Sequence, residues 1–297
     1  MSEHQWLLLL SLLPDVGRKT MRHVLERQQV HRLSPREVLE IPVELLAEEY
    51  RLPSRAIHAL KAELPRWLEQ TEQLEAHLTR CGVRWISFQH AIYPNALEAM
   101  DDPPAILFAY GNWELLNQPT FALLASHTVS KQGLAVLESL AQGFLEQGWV
   151  PIASVNQPAY QRLALCAARE GAPLILVLDR GLLQAFGEDL RREPVALARI
   201  WQAEFDPQRA LALSPFRPHD GWVNANGRYR DRLIAYLADC PVIVEARAGG
   251  FMQTLGMELL QKGRPLAVYA GNLERSPAHQ ALIEAGARPL CADAPFA

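Results

Sequence analysis

The chain has 297 residues, 49% of them hydrophobic, enough to bury a sizeable core and to support one large domain with a smaller one beside it. Its formal net charge of −4, from 29 Lys+Arg against 33 Asp+Glu, excludes a globally basic nucleic-acid-coating protein, so any nucleic-acid site has to be a local patch. The apolar run from Trp6 to Leu13 has no basic flank and is far shorter than the ~20 residues of a membrane span, so neither a signal peptide nor a membrane helix is expected.

Residues 1–82 read as a helical domain, similar to a SAM or helix-hairpin-helix unit. Apolar residues recur at mixed three- and four-residue spacing, as in Ile57, Leu60, Leu64, Trp67 and Leu68. Pro14, Pro35, Pro42 and Pro53 cut the stretch into short helices, while Pro65 either cuts or only kinks one. The charges through Arg84 balance, twelve against twelve, so little electrostatic pull on nucleic acid is expected there.

From residue 83 to 297 the texture changes to short apolar runs alternating with amphipathic helical segments. The runs are Val83 to Phe88, Ala105 to Tyr110, Phe121 to Ala125, Trp149 to Ala153, Pro173 to Leu178, Ala210 to Leu213, Pro241 to Glu245, Pro265 to Tyr269 and Arg288 to Cys291. Helical periodicity lies between many of them, notably at Lys131 to Gln147, Ala159 to Glu170, Arg228 to Ala238, Gln253 to Gln261 and Ala278 to Glu284. This alternation predicts an α/β fold with a doubly wound, mostly parallel, Rossmann-like sheet. Ligands in such sheets bind beyond the carboxyl ends of the strands, where strand order reverses.

The candidate residues therefore follow strands. Ser126, His127, Ser130 and Lys131 stand between a strand and a helix, where free N–H groups attract anions; on the plainer reading Ser130 only caps the helix. Ser154 follows the next strand, and the Gly249-Gly250 pair and Asn272 follow later ones, the glycines serving equally well as a tight turn. Between Arg209 and Arg232 five arginines face only Asp220 and Asp231. Arg217, Arg228, Arg230 and Arg232 suit phosphate, and Phe216, Trp222 and Tyr229 are placed among them to stack on unpaired bases. The alternative is a solvated helix start in which Arg230 and Arg232 pair with Asp231 or Glu245. No nucleophile triad, HExxH, Walker lysine loop or dinucleotide fingerprint occurs, so no catalysis is expected. The four cysteines, Cys81, Cys166, Cys240 and Cys291, form no CxxC pair; reduced, mostly buried thiols are expected, with no metal, disulfide or cofactor.

In order along the chain, several motifs resemble the DprA/Smf family. They are Tyr93-Pro94 with Pro103-Pro104 and the strand ending at Gly111, then Arg230-Asp231-Arg232-Leu233-Ile234-Ala235, then Val242-Ile243-Val244-Glu245-Ala246. Gly263-Arg264 with the strand ending at Ala270-Gly271, and Leu282-Ile283 with Gly286-Ala287, complete the series. The N-terminal Leu13-Pro14-Asp15-Val16-Gly17 looks like half of a helix-hairpin-helix. The resemblance implies a cytoplasmic, homodimeric, non-catalytic protein that binds single-stranded DNA and protects it or loads a RecA-like recombinase. The chain departs from the family where Gly-Ser-Arg becomes Ala125-Ser126-His127, and where Ser-Gly-x-Ala-x-Gly-Ile-Asp becomes Ser154 to Gln161 with only the serine kept. Losing those glycines narrows a phosphate cradle. With Ala297 soon after the last strand, the winged-helix extension of many relatives is not expected. Two other readings stay open: a relative that binds a toxin or phage-defence protein partner, and a sensor of a nucleotide-derived ligand lined by Ser126, Ser154 and Gly249.

Overall fold

The computed structural model describes residues 1–193, 204–271 and 276–291. Six helices come first: α1 (Glu3–Leu12), α2 (Arg18–His31), α3 (Pro35–Glu40), α4 (Val43–Glu48), α5 (Ser54–Ala62) and α6 (Leu64–Arg80). The apolar start is explained by burial of α1 on every side. Trp6, Leu8, Leu9 and Leu10 are wholly inaccessible, and the Trp6 indole N–H donates to Gln28 Oε1 at 2.8 Å. Pro65 begins a new helix instead of kinking one: the chain breaks at Glu63, and proline fits the first turn of α6, where an N–H has no partner to lose.

Nine strands follow: β1 (Val83–Ser87), β2 (Ile106–Gly111), β3 (Thr120–Ala125), β4 (Val150–Ala153), β5 (Leu174–Val177), β6 (Ala210–Ser214), β7 (Cys240–Glu245), β8 (Ala267–Tyr269) and β9 (Arg288–Leu290). Between them lie α7 (Lys131–Glu146), α8 (Pro158–Arg169), α9 (Leu182–Phe186), α10 (Asn224–Leu237), α11 (Phe251–Gln261) and α12 (Pro277–Glu284). They form one sheet in the order β1-β2-β6-β5-β4-β3-β7-β8-β9. From β6 to β9 every pairing is parallel, whereas β1 and β2 extend the sheet antiparallel to β6. Every residue of β3 and of β6 is buried, as expected for strands covered on both faces.

Strand order runs outward one way from β3 through β4, β5 and β6, and the other way from β7 through β8 to β9. The switch point is therefore the crevice between the loops after β3 and β7. The helical segment abuts the edge of the sheet, where α1 and α6 pack on β1. The Trp85 indole donates to His4 O at 3.0 Å, and buried side chains of both regions form one continuous cluster. No helix among the described residues is long and apolar enough to cross a membrane. The cysteines are less buried than expected: Cys81, Cys166 and Cys240 are half-buried, Cys291 is exposed, and all four are free thiols.

Candidate nucleic-acid interface

At the switch point the first turn of α7 already holds an anion, and it belongs to the protein. Glu245 ends β7 and turns its carboxylate onto Ser130, whose backbone N–H lies 3.1 and 3.2 Å from the two carboxylate oxygens and whose hydroxyl donates at 2.6 Å. Ser130 is also the helix cap, accepting from Gly133 N at 2.9 Å. This end of the helix, with its partial positive charge, is neutralised internally. Ser126 is half-buried and spends its N–H on Glu245 O at 2.9 Å.

The rim of the crevice carries two exposed cations, Lys131 and Arg247. His127 and Lys131 are exposed on the β3 side, and Arg247 is exposed on the β7 side, reaching across to donate to the Thr128 hydroxyl. Gly249 adopts φ +70°, a left-handed turn that a glycine enters without strain, and Gly250 starts α11 with no capping side chain. The Gly249 N–H donates to Gln253 Oε1 at 2.7 Å. The start of α11 therefore lacks the carboxylate that fills the start of α7. Behind this loop His279 is buried, accepting from Ala246 N at 3.0 Å on Nε2, with Nδ1 2.9 Å from Tyr269 O; burial pushes its pKa down and keeps the ring neutral.

The arginine-rich helix does not present its residues together. Arg230 is fully inaccessible. Its Nε donates to Asp231 at 2.9 Å, Nη1 donates to Ser154 Oγ at 3.1 Å and to Asn156 Oδ1, and Nη1 lies 3.6 Å from Asp179. Tyr160 donates to Asp231 at 2.8 Å, and burial raises the Asp231 pKa even with Arg230 alongside. Ser154 is likewise wholly buried, so Arg230 and Ser154 tie loops together beneath the surface instead of facing a ligand. Arg232 pairs with Glu258 at 2.8 Å, not with Glu245. Arg217 donates to Leu13 O and Val16 O at 3.3 and 3.1 Å, which fastens the helical segment to the sheet. Only Arg228 of the four candidates is exposed without a carboxylate partner among the described residues; its guanidinium lies 5.5 Å from the Phe251 ring centroid.

Of the three aromatic candidates, Phe216 and Tyr229 are buried against one another, 6.2 Å apart and edge-on, and cannot stack on a base where they stand. Tyr229 also donates to Asp102 O at 2.9 Å. Trp222 is half exposed and remains available. Asn272 lies outside the described residues. Two residues important to the crevice were passed over as site residues from sequence: Glu245, which reads as a strand end, and Arg247, whose position two residues before a Gly-Gly pair was the available signal.

Comparison with known proteins agrees with the fold. The profile for DNA recombination-mediator protein A matches residues 84–295. DNA processing protein DprA of Streptococcus pneumoniae is 26% identical over 201 residues, covering 67% of this chain and 68% of that protein; DprA of Bacillus subtilis is 21% identical over 216 residues, covering 72% and 70%. Among solved structures, S. pneumoniae DprA superposes with a TM-score of 0.72 at 22% identity, over 98% of this chain and 95% of that one, so the likeness of fold includes the helical segment. DprA from Helicobacter pylori, described for its single-stranded DNA binding mode, gives 0.52 at 19% identity over 69% and 90%. With a family profile spanning more than two thirds of its length and a DprA-like fold throughout, this chain belongs to the DNA recombination-mediator protein A family, that of DprA.

Proposed function

We propose that the protein binds single-stranded DNA across the switch-point crevice, without catalysing a reaction. The observation that carries this reading is the exposed pair of cations Lys131 and Arg247, with His127 also on the rim, beside the uncapped start of α11, on the scaffold of a DNA-processing family. Lysine and arginine neutralise backbone phosphates, the α11 terminus adds N–H donors, and Trp222 offers a face for a base. The family's strand-binding protein from H. pylori makes a single strand the substrate to test first. On this reading two copies act in the cytoplasm, coating a strand and passing it to a RecA-like recombinase, with residues 1–82 as a helical domain docked on the binding domain of residues 83–297.

The test is fluorescence anisotropy of a labelled single-stranded oligonucleotide at two salt concentrations, comparing wild type with Lys131→Ala/Arg247→Ala. Wild-type affinity should fall steeply with salt, and the double variant should reduce the logarithmic salt slope by about 1.4, the single-strand value for two lost phosphate contacts, while weakening binding at low salt. An unchanged slope in the variant, or no binding by wild type, overturns the reading. Arg230→Ala does not serve here, because a buried network would fail with it.

A further inference from the structure

A second cavity, of about 730 Å³, opens between the helical segment and the sheet domain, in the size range of small-molecule sites. Its walls come from four parts of the chain: Arg18 from α2, Asp101 and Asp102 from the loop before β2, Asn224 and Arg228 from α10, and Glu258 from α11. Both α2 and α10 begin here, and neither has a capping side chain: Gly17 precedes α2 and Val223 precedes α10. Two helix starts at one cleft sum their partial positive charges.

The charged side chains nearly cancel, and the remainder is informative. Asp102 is held by Arg18 at 2.8 Å, Glu258 by Arg232 at 2.8 Å, and Asp101 by Lys262. Arg228 is the cation left over. Arg18 Nε is buried and closed off from the cleft. The Arg18 guanidinium carbon lies 3.8 Å from the Tyr229 ring centroid, a cation–π contact at the cleft wall.

We propose that this cleft binds a nucleoside monophosphate. Arg228 and the first N–H groups of α10, at Asn224 and Ala225, take the phosphate; the base lies on the outer side of the Arg18 guanidinium, which covers the buried Tyr229 ring. A bare phosphate would leave most of the volume empty and would stand close to three carboxylates. A nucleoside offers those carboxylates hydroxyl and amino donors, and Asn224 supplies both a donor and an acceptor for a base edge. Because walls from both regions close on the ligand, occupancy clamps the helical segment to the sheet. The nucleotide is either free or the 5′-phosphorylated end of a strand, one chemistry from two sources. This site does not depend on strand binding at the switch point, and of its lining residues Arg228, Tyr229 and Arg232 were among the candidates read from sequence.

The experiment is thermal unfolding and calorimetric titration with dAMP, using wild type, Arg228→Ala and Lys131→Ala/Arg247→Ala. Since Arg228 is exposed, its variant should unfold at the wild-type midpoint without ligand. With dAMP, wild type and the Lys131/Arg247 variant should both be stabilised, and Arg228→Ala should bind at least about tenfold more weakly. Inorganic phosphate alone should stabilise less than dAMP. Displacement of dAMP from the Lys131/Arg247 variant by a 5′-phosphorylated oligonucleotide, and not by its 5′-hydroxyl counterpart, assigns the strand end as the source; no displacement assigns the free nucleotide. Absence of any dAMP response at millimolar concentration, or an equal response in Arg228→Ala, overturns the proposal. Loss of the response in the Lys131/Arg247 variant instead would move dAMP to the switch point and equally overturn it.

Discussion

Glu245 fills with its carboxylate the space that Gly133 leaves by having no side chain: a β-carbon built on Gly133 would lie 2.4 Å from Glu245 Oε2 and 2.9 Å from a Val129 methyl. Glycine is ordinarily a poor residue for the third position of a helix, and here its cost is offset by the room it gives the carboxylate. Gly133→Ala should therefore destabilise the protein by about 1–3 kcal/mol through overpacking, against the gain of a few tenths usual for a helical Gly→Ala exchange. Urea unfolding of the variant checks the sign. Glu245→Ala should expose the start of α7 as an anion site, so phosphate should raise its unfolding midpoint more than it raises that of wild type.

Arg230 makes the opposite case, a cation that cannot leave. Removing it would leave Asp231 in the interior without its cation and would leave Asp179 with Arg180 alone, both carboxylates being at most a few per cent exposed. Arg230→Ala should cost about 3–5 kcal/mol, the usual penalty for breaking a buried pair from one side. Chemical denaturation measures it, and a variant within 1 kcal/mol of wild type would contradict the network described above.

Arg217 holds the helical segment by two carbonyls of the turn between α1 and α2, that of Leu13 at the negative end of α1 and that of Val16 beyond it. Arg217→Ala should loosen that junction without disturbing the sheet. Limited proteolysis should cut faster within residues 1–82, and hydrogen exchange in β3 and β7 should stay as in wild type. Faster exchange in β3 and β7 would mean that the two regions unfold together.

The sheet was legible in the sequence because each strand is a short apolar run between turn residues, and both β3 and β7 fall within a residue of their expected bounds. The antiparallel addition of β1 and β2 was not legible, since a buried apolar strand carries no mark of its direction. The site was harder. Arginine at positions 228, 230 and 232 reads as one patch, yet spacing of two on a helix turns each about 200° from the last, so one is exposed, one buried and one half-buried. Whether an arginine faces phosphate or an internal carboxylate depends on residues far away in sequence, such as Asp179 and Ser154 for Arg230.

His279 links the crevice to pH. Its ring must be neutral to accept the Ala246 N–H, and burial lowers its folded-state pKa below the unfolded value of about 6.5. Below that value the unfolded chain binds a proton that the folded ring resists, so stability falls as the medium is acidified. The contribution of His279 is fully present above pH about 6.5 and is lost progressively as pH drops toward the depressed folded pKa. His279→Gln keeps an acceptor for Ala246 but cannot titrate. Its unfolding midpoint should change less between pH 7 and pH 5 than that of wild type, while at pH 7 it should lie somewhat lower because the amide fits the buried site less well. Parallel pH profiles for the two proteins would show that the acid sensitivity of the fold originates elsewhere.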